Sequence, residues 1–204
     1  MMKTSIINAM LCKFIYKVII EPCRIFLKLF FLNFMEENIN IIFIGLMGSG
    51  KTSIGKHLSK TLGKKFIDTD HAIEMKTGVN VATIFELEGE KGFRLREKNF
   101  LKELKSYQNL IIATGGGIIL SLTNKKLLSN LGKIFYLKSN PRELALRLKG
   151  DKSRPLLQNV NMEETLCALF EERDPIYNDI ADYIIETKGK RLSDVSKEIL
   201  EILK

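Results

Sequence analysis

A glycine-rich run that ends in lysine and threonine is the most specific chemical feature of the sequence. Residues 45–52 read Gly-Leu-Met-Gly-Ser-Gly-Lys-Thr and match the pattern G-x-x-x-x-G-K-[ST], between an apolar run and an amphipathic segment. Glycines let backbone N–H groups curl around a phosphate that rests on a helix N-terminus. The pattern predicts a nucleoside triphosphate site, with Lys51 at the β- and γ-phosphates and Thr52 at Mg²⁺.

Two carboxylates follow the next short apolar run. Asp68 and Asp70 lie two positions apart, where the chain would leave a strand. Ligands of an open α/β sheet gather at such strand ends. Asp68 therefore suits the metal side of a phosphoryl transfer, and Asp70 suits the acceptor side. The alternative is that both aspartates only form a turn.

Further segments offer groups that bind anions. Residues 92–97 read Gly-Phe-Arg-Leu-Arg-Glu, and residues 172–177 read Glu-Arg-Asp-Pro-Ile-Tyr. Residues 115–117 are three consecutive glycines, which let a ligand approach the bare backbone. The basic loop at 149–157 resembles a mobile lid. Arginine suits carboxylates and phosphoryl groups because its planar fork donates paired hydrogen bonds.

Short apolar runs and longer helical segments alternate after residue 40. The predicted strands are 41–44, 66–67, 110–113, 134–137 and 183–185. The predicted helices are 53–62, 82–88, 92–106, 123–131, 141–148, 163–177 and 192–203. This alternation predicts an α/β fold with a mainly parallel sheet covered by helices on both faces.

Composition narrows the class of protein. The 204 residues carry a formal net charge of +8, with an ordinary balance of 45% hydrophobic and 27% charged residues. Residues 1–34 hold half of that excess charge, so the rest of the chain suits anionic small molecules better than nucleic acid. The three cysteines have no disulfide or metal spacing, which indicates a reducing compartment and a cytoplasmic protein.

Taken together and in this order, the motifs resemble those of the shikimate kinases over essentially the whole chain after Met35. The resemblance implies a P-loop fold like that of nucleoside monophosphate kinases, with five parallel strands in the order 2-3-1-4-5 and a lid. It also implies the reaction, which moves a phosphoryl group from ATP to the 3-hydroxyl of shikimate in chorismate and aromatic amino acid biosynthesis, with Mg²⁺. The kinase domain would span residues 39–204, with the lid at about 147–158.

The resemblance also assigns roles to single residues. Asp70 would orient or deprotonate the acceptor hydroxyl, with Lys51 and the lid residue Arg154 as the other catalytic groups. The other shikimate-binding residues would be the clamp Arg94 and Arg173, the ring contacts Gly116 and Gly117, the pocket walls Phe85 and Phe93, and Glu97, which holds Arg94. ATP would contact Gly48, Ser49, Gly50, Lys51, Thr52, Ser53, Arg147, Arg154 and Lys190. The metal would contact Thr52 and Asp68.

Two other functions remain open from the residues alone. One is a related P-loop kinase that phosphorylates gluconate or a nucleotide, although Asp70, Arg94 and Arg173 suit one hydroxyl pair and one carboxylate better than a second phosphate. The other is a nucleotide switch or a non-catalytic ATP-binding module. In addition, an aromatic residue on a helix belongs to the hydrophobic core more often than to a pocket, and this alternative applies to Phe85 and Phe93. We expect a monomer.

Residues 1–38 form a basic N-terminal extension of different composition. Charges interrupt its apolar runs, so no span approaches the ~18 residues of a membrane helix. On a helical projection the six charged residues within 1–34 share one face: Lys3, Lys13, Lys17, Glu21, Arg24 and Lys28. Three explanations stay open, namely a mis-assigned start upstream of Met35, a membrane-surface or targeting helix, and a segment packed on the domain. Membrane contact is expected only for the second.

Overall fold

The computed structural model describes residues 38–149 and 161–204. The strands in these ranges are β1 (Asn40–Ile44), β2 (Lys65–Asp68), β3 (Leu110–Ala113), β4 (Gly132–Lys138) and β5 (Tyr183–Glu186). The α-helices are α1 (Lys51–Leu62), α2 (Thr69–Thr77), α3 (Val81–Leu104), α4 (Leu122–Ser129), α5 (Pro141–Leu148), α6 (Met162–Ile180) and α7 (Leu192–Ile202). A 3₁₀ turn covers Ile118–Leu120.

The five strands form one sheet in the order β2-β3-β1-β4-β5, and all neighbouring strands are parallel. This confirms the predicted fold. The strand β1 lies at the centre, where Ile42 pairs with Ile112 of β3 and with Ile134 of β4. All five residues of β1 are buried, as expected for a parallel strand that is covered on both faces.

Alternate residues of the central strands supply two hydrophobic cores, one on each face of the sheet. Ile42 and Ile44 belong to one cluster, whereas Ile41 and Phe43 belong to the other. This is the two-residue period of a strand, which sends successive side chains to opposite faces. Asn40–Lys204 accordingly forms one compact unit.

Three features of the helices differ from the sequence prediction. Helix α2 was not predicted, and it begins where the Asp68 side chain accepts hydrogen bonds from the backbone N–H groups of Asp70 and His71. The 3₁₀ turn was not predicted either. The two helices predicted at 82–88 and 92–106 form the single element α3, which is kinked at Gly89 because that residue has a φ of 68°.

Two of the predicted segments lie largely outside the described residues. They are the N-terminal extension, apart from Asn38, and the predicted lid from residue 150 onward, which contains Arg154. Within the described ranges, no helix is long and apolar enough to cross a membrane.

Candidate active site

The phosphate loop connects the end of β1 to the start of α1. Gly50 precedes the helix with a φ of 95°, a backbone conformation that favours glycine and turns the following N–H groups toward the loop. Lys51 is buried, and its Nζ donates hydrogen bonds to the carbonyl oxygens of Gly45 and Leu46, each at 2.8 Å. The lysine is therefore held against the loop that the motif predicts to bind phosphate.

The first turn of α1 is joined to the end of β2. The hydroxyl of Thr52 donates a hydrogen bond of 2.7 Å to Oδ2 of Asp68. The other oxygen of Asp68 caps α2, so this carboxylate is fixed at both ends. The two residues predicted to hold a metal are thus in contact.

Asp70 lies in the first turn of α2, beside the end of β3. An added Cβ at Gly115 would lie 2.6 Å from Oδ1 of Asp70, so the missing side chain leaves the space that this carboxylate occupies. The N–H of Gly115 also donates a hydrogen bond of 3.2 Å to the hydroxyl of the buried Thr69. The segments that follow β2 and β3 are therefore hydrogen-bonded to each other beside the aspartate.

Two cavities open at the carboxyl ends of these strands. The larger, of about 550 Å³, we call the phosphate cavity; it is lined by Met47, Gly48, Gly50, Lys51, Thr52, Ser53, Asp68, Asp70, His71, Glu74, Val81, Thr114, Gly115, Gly116, Arg147 and Leu148. The smaller, of about 70 Å³, we call the glycine pocket; it is lined by Met47, Asp70, Val81, Phe85, Phe93, Arg94, Gly115, Gly116, Gly117 and Arg173. Asp70 borders both cavities, together with Met47, Val81 and two of the glycines.

Arg94 reaches the glycine pocket from α3 and is held by two carboxylates. Its Nη1 donates a 2.6 Å hydrogen bond to Glu97, and its Nη2 donates a 2.8 Å bond to Glu90. Its guanidinium also lies over the ring of Phe93, at 5.6 Å from the centroid. These contacts fix the direction of the fork, as a site for a planar carboxylate requires.

Glu97 lies behind Arg94, fully buried. Burial raises the pKa of its carboxyl group to about 7 from an ordinary value of 4.5, while the Arg94 guanidinium opposes that rise and the Asp70 charge adds to it. This carboxyl therefore changes its charge near neutral pH, next to the arginine that it orients.

Arg173 enters the glycine pocket from α6. It is only 4% exposed, and its Nε has no hydrogen-bond partner within the described ranges. The nearest carboxylate oxygen recorded for that atom belongs to the exposed Glu172, at 3.9 Å. A buried guanidinium with an unused Nε donor favours an anionic ligand, because a buried donor without a hydrogen-bond partner is costly.

A family model described as shikimate kinase matches residues 47–204. The chain belongs to the shikimate kinase family. The shikimate kinase of Burkholderia thailandensis is 48% identical over 152 residues, which are 74% of this chain and 83% of that protein. The shikimate kinase of Nitrosococcus oceani is 45% identical over 167 residues, or 82% and 88% of the two chains. The predicted family and enzyme class are confirmed.

Solved structures agree with this assignment. Shikimate kinase from Acinetobacter baumannii in complex with shikimate has a TM-score of 0.80 and 43% identity, and the match covers 84% of this chain and 96% of that one. A gluconokinase from Sinorhizobium meliloti has a TM-score of 0.55 at 18% identity, covering 81% and 91%. The second likeness concerns the fold alone.

Most residues that the shikimate kinase motifs single out meet at the two cavities. Phe93 lines the glycine pocket and is also part of the hydrophobic core, and its ring contacts Phe85 with centroids 4.9 Å apart. Ser49 is a buried residue of the phosphate loop, and its hydroxyl accepts a 3.5 Å hydrogen bond from Lys51. Arg147 and Ser53 border the phosphate cavity.

Lys190 lies apart from the other described residues that were predicted to bind ATP. Its Nζ donates a hydrogen bond of 2.6 Å to Glu198 of α7, and it lines neither cavity. Conversely, Met47, Val81, His71 and Glu74 line the cavities although sequence reasoning did not single them out. Met47 lies at a variable position of the glycine pattern, so nothing in the sequence predicted that it would line the cavities beside Asp70.

Proposed function

We propose that this kinase transfers the γ-phosphoryl group of ATP to the 3-hydroxyl of shikimate. The observation that carries the proposal is the junction of the two cavities at Asp70. On one side the junction opens to a phosphate loop, and on the other to a pocket that holds Arg94, Arg173 and the bare backbone of residues 115–117. An acceptor between them would present its hydroxyl to the phosphate and its carboxylate to the arginines.

The arginines account for the carboxylate of the acceptor. Arg94 lies on α3 and Arg173 on α6, so two separate helices bring guanidinium groups to one small pocket. Two such groups around one carboxylate supply charge-assisted hydrogen bonds and fix the orientation of the ring. Phe85 and Phe93 would cover the apolar edge of that ring, and Gly116 and Gly117 would lie against it.

Asp70 would hold the attacking hydroxyl. Catalysis of phosphoryl transfer relies mainly on positioning and on stabilisation of charge, and the acceptor proton leaves late. We therefore assign to Asp70 chiefly the orientation of the 3-hydroxyl. Lys51 would meet the β- and γ-phosphates, and the N–H groups of residues 48–53 would surround them.

The residues at the end of β2 fit a magnesium ion. Thr52 and Asp68 offer a hydroxyl and a carboxylate oxygen 2.7 Å apart at the border of the phosphate cavity, and Mg²⁺ prefers such oxygen ligands together with phosphates and water. When bound, the ion would neutralise charge on the phosphates. Thr52 and Asp68 would hold it there, and the Asp68 cap on α2 would keep the carboxylate in place.

Three basic residues complete the proposal on the nucleotide side. Arg147 borders the phosphate cavity beside Leu148, which supports a contact with ATP. Arg154, outside the described residues, would meet the transferring phosphoryl group, and Lys190 would contact the adenine end. To reach a nucleotide, Lys190 would exchange its bond to Glu198.

We further propose that the enzyme acts as a cytoplasmic monomer, with ATP, Mg²⁺ and shikimate as its small-molecule partners. All the residues to which we assign a role belong to one chain, so the proposed reaction requires no second copy. Light scattering of the purified protein at assay concentration should give the mass of one chain. A stable dimer would contradict the proposal of a monomer but would not affect the proposed reaction.

A comparison of acceptors tests the reaction. ADP release should depend on shikimate and stay near background with gluconate or AMP. Gluconate has a carboxylate but no ring, and AMP has a phosphate in place of a carboxylate. Gluconate turnover at a rate similar to that of shikimate would contradict the proposed acceptor. If ATP binds but no acceptor supports turnover, the non-catalytic ATP-binding module would be favoured instead.

A further inference from the structure

Tyr177 is a buried residue of the 172–177 motif that the proposed reaction does not use. Its side chain is 0% exposed, and its hydroxyl donates a hydrogen bond of 2.5 Å to the carbonyl oxygen of Gly116, 61 positions earlier. It lines neither cavity. It therefore contacts the wall of the glycine pocket from behind.

The ring of Tyr177 is fixed by a second tyrosine. It stacks on Tyr136 of β4 with centroids 4.8 Å apart and planes inclined by 26°. The hydroxyl of Tyr136 in turn donates a 2.8 Å hydrogen bond to Asp174 of α6, and Lys138 forms an ion pair of 3.0 Å with the same carboxylate. These contacts tie the turn of α6 that carries Arg173 to strand β4.

Gly116 lies close to two other parts of the chain. An added Cβ at this position would lie 3.6 Å from the Tyr177 hydroxyl, 3.5 Å from the backbone nitrogen of Met47 and 3.4 Å from the carbonyl oxygen of Gly45. The glycine thus lies between α6 and the phosphate loop. A shift of its carbonyl would change the floor of the glycine pocket.

The position of Tyr177 along α6 connects the two sides of the pocket. It follows Arg173 by four residues, so both side chains lie on the same face of the helix. Burial raises the pKa of the Tyr177 hydroxyl above its ordinary value, and the nearby Arg173 guanidinium opposes this without cancelling it. The hydroxyl stays protonated in the working pH range and remains a donor.

We propose that Tyr177 is a positioning residue for the acceptor, which fixes the Gly116 backbone relative to Arg173 and so sets the shape of the glycine pocket. The inference rests on the proposed function, since it assumes that the pocket receives shikimate. Without the hydroxyl, the Gly116 carbonyl would lose its buried donor, and the glycine strip would be free to shift against the arginine. Affinity for the acceptor would fall, whereas the phosphate loop would keep its contacts with ATP.

The test is Tyr177→Phe, which keeps the stacked ring and removes only the hydroxyl. We expect the KM for shikimate to rise by about 5- to 30-fold, the loss that follows from one buried hydrogen bond, with kcat and the KM for ATP changed less than about 2-fold. Tyr183→Phe is the matched control. Tyr183 stacks on Phe135 in β4, 4.8 Å away, and lines neither cavity, so both constants should stay at wild-type values.

Thermal shifts provide a second measurement. Shikimate should raise the Tm of Tyr177→Phe less than that of the wild type, whereas a non-hydrolysable ATP analogue should raise both equally. Unchanged KM for shikimate, an equal rise in both KM values, or failure of Tyr177→Phe to fold would each overturn the proposal, since the hydroxyl would then serve nothing or the fold in general. If wild-type enzyme does not turn over shikimate, the proposed function fails instead, which is a distinguishable result.

Discussion

Gly117 leaves the space in which the guanidinium of Arg94 lies. An added Cβ at position 117 would be 2.7 Å from Cζ and 2.9 Å from Nη1 of Arg94. Arginine is long and flexible, so an alanine at 117 would displace the end of its side chain and leave the backbone unchanged. The third glycine of the run therefore fixes a position of the arginine as well as the shape of the pocket.

Gly117→Ala should weaken shikimate binding with little loss of stability. Displacing one charge-assisted fork costs about 1.5–3 kcal/mol, so the KM for shikimate should rise about 10- to 100-fold while the Tm stays close to that of the wild type. A double-mutant cycle with Arg94→Ala provides the control. If Gly117 acts through the arginine, the alanine at 117 adds little when Arg94 is already gone, and additive effects would contradict this account.

Asp70→Asn should lower kcat by roughly 10²-fold or more and change ATP affinity little. The reason is that Asp70 borders both cavities, at the junction where we propose that the phosphoryl group is transferred. Steady-state kinetics with both substrates measures it. The matched control is Asp179→Asn, at an exposed carboxylate that pairs only with Lys125 in the described residues. Turnover of Asp70→Asn near that of the control would remove Asp70 from the mechanism.

Two substitutions at Asp68 distinguish a role in metal binding from a role in stability. Asparagine at this position can still cap α2 but is a poorer magnesium ligand, so Asp68→Asn should raise the Mg²⁺ concentration for half-maximal activity about 10-fold or more and leave the Tm near wild type. Asp68→Ala should lose about 1 kcal/mol of stability in addition. Calorimetry of an ATP analogue with and without Mg²⁺ gives a readout independent of turnover. An identical Mg²⁺ requirement in Asp68→Asn would exclude the carboxylate from the metal site.

Glu97 should make stability depend on pH. The unfolded chain releases this proton near pH 4.5, whereas the folded chain keeps it until about pH 7 because burial raises the pKa. Stability from this group is therefore greatest below pH 4.5 and falls as the pH rises to about 7, by about 3 kcal/mol in all.

Urea unfolding of wild type and Glu97→Gln at several pH values measures this effect, since the amide does not titrate and other carboxyl groups cancel in the difference. The stability of the wild type relative to Glu97→Gln should decrease between pH 5 and pH 7.5 and then level off. Parallel curves over that range would show that the pKa of Glu97 is not raised.

Asn40 should matter for stability alone. From the start of β1, its Nδ2 donates to the carbonyls of Tyr107 and Leu131 at 3.0 and 2.9 Å, and its Oδ1 accepts from the N–H of Leu110 at 2.9 Å. Asn40→Ala leaves those buried groups unpaired and should lower the free energy of unfolding by about 3 kcal/mol.

Well below the Tm, the kcat/KM of Asn40→Ala should equal that of the wild type. Asn130→Ala, at an exposed asparagine whose side chain bonds only to the Lys126 carbonyl in the described residues, should change stability by less than about 0.5 kcal/mol. Equal stability of the two variants would contradict the importance of this buried side chain.

Strand periodicity was enough to predict all five strands, whereas the order of the strands in the sheet was predicted only from the family resemblance. Helix α2 was missed because its start depends on the Asp68 side chain, which a sequence pattern presents equally well as a turn. The kink at Gly89 was anticipated only as a gap between two helices. A glycine in a helical pattern indicates that the helix is interrupted there. It does not indicate whether a second helix begins or the same helix continues after a kink.

The functional residues of the phosphate loop were predictable because they are contiguous. The positioning contacts were not, since Gly117 meets Arg94 and Tyr177 meets Gly116 only after the sheet has formed. The sequence shows three glycines and a tyrosine but not which atoms fill the space beside them. The prediction that the glycines leave space for a ligand was therefore incomplete. They also leave space for side chains of the protein itself, such as that of Arg94 beside Gly117.

Identification of the product tests the central claim most directly. Purified enzyme with ATP, Mg²⁺ and shikimate should give one product that has gained a single phosphoryl group by mass spectrometry, with phosphorus coupling to the proton on carbon 3 in its NMR spectrum. Asp70→Asn at the same concentration should give almost none. Recovery of unmodified shikimate beside ADP, or phosphate on another hydroxyl, would contradict the arrangement of Asp70, Arg94 and Arg173 on which the account depends.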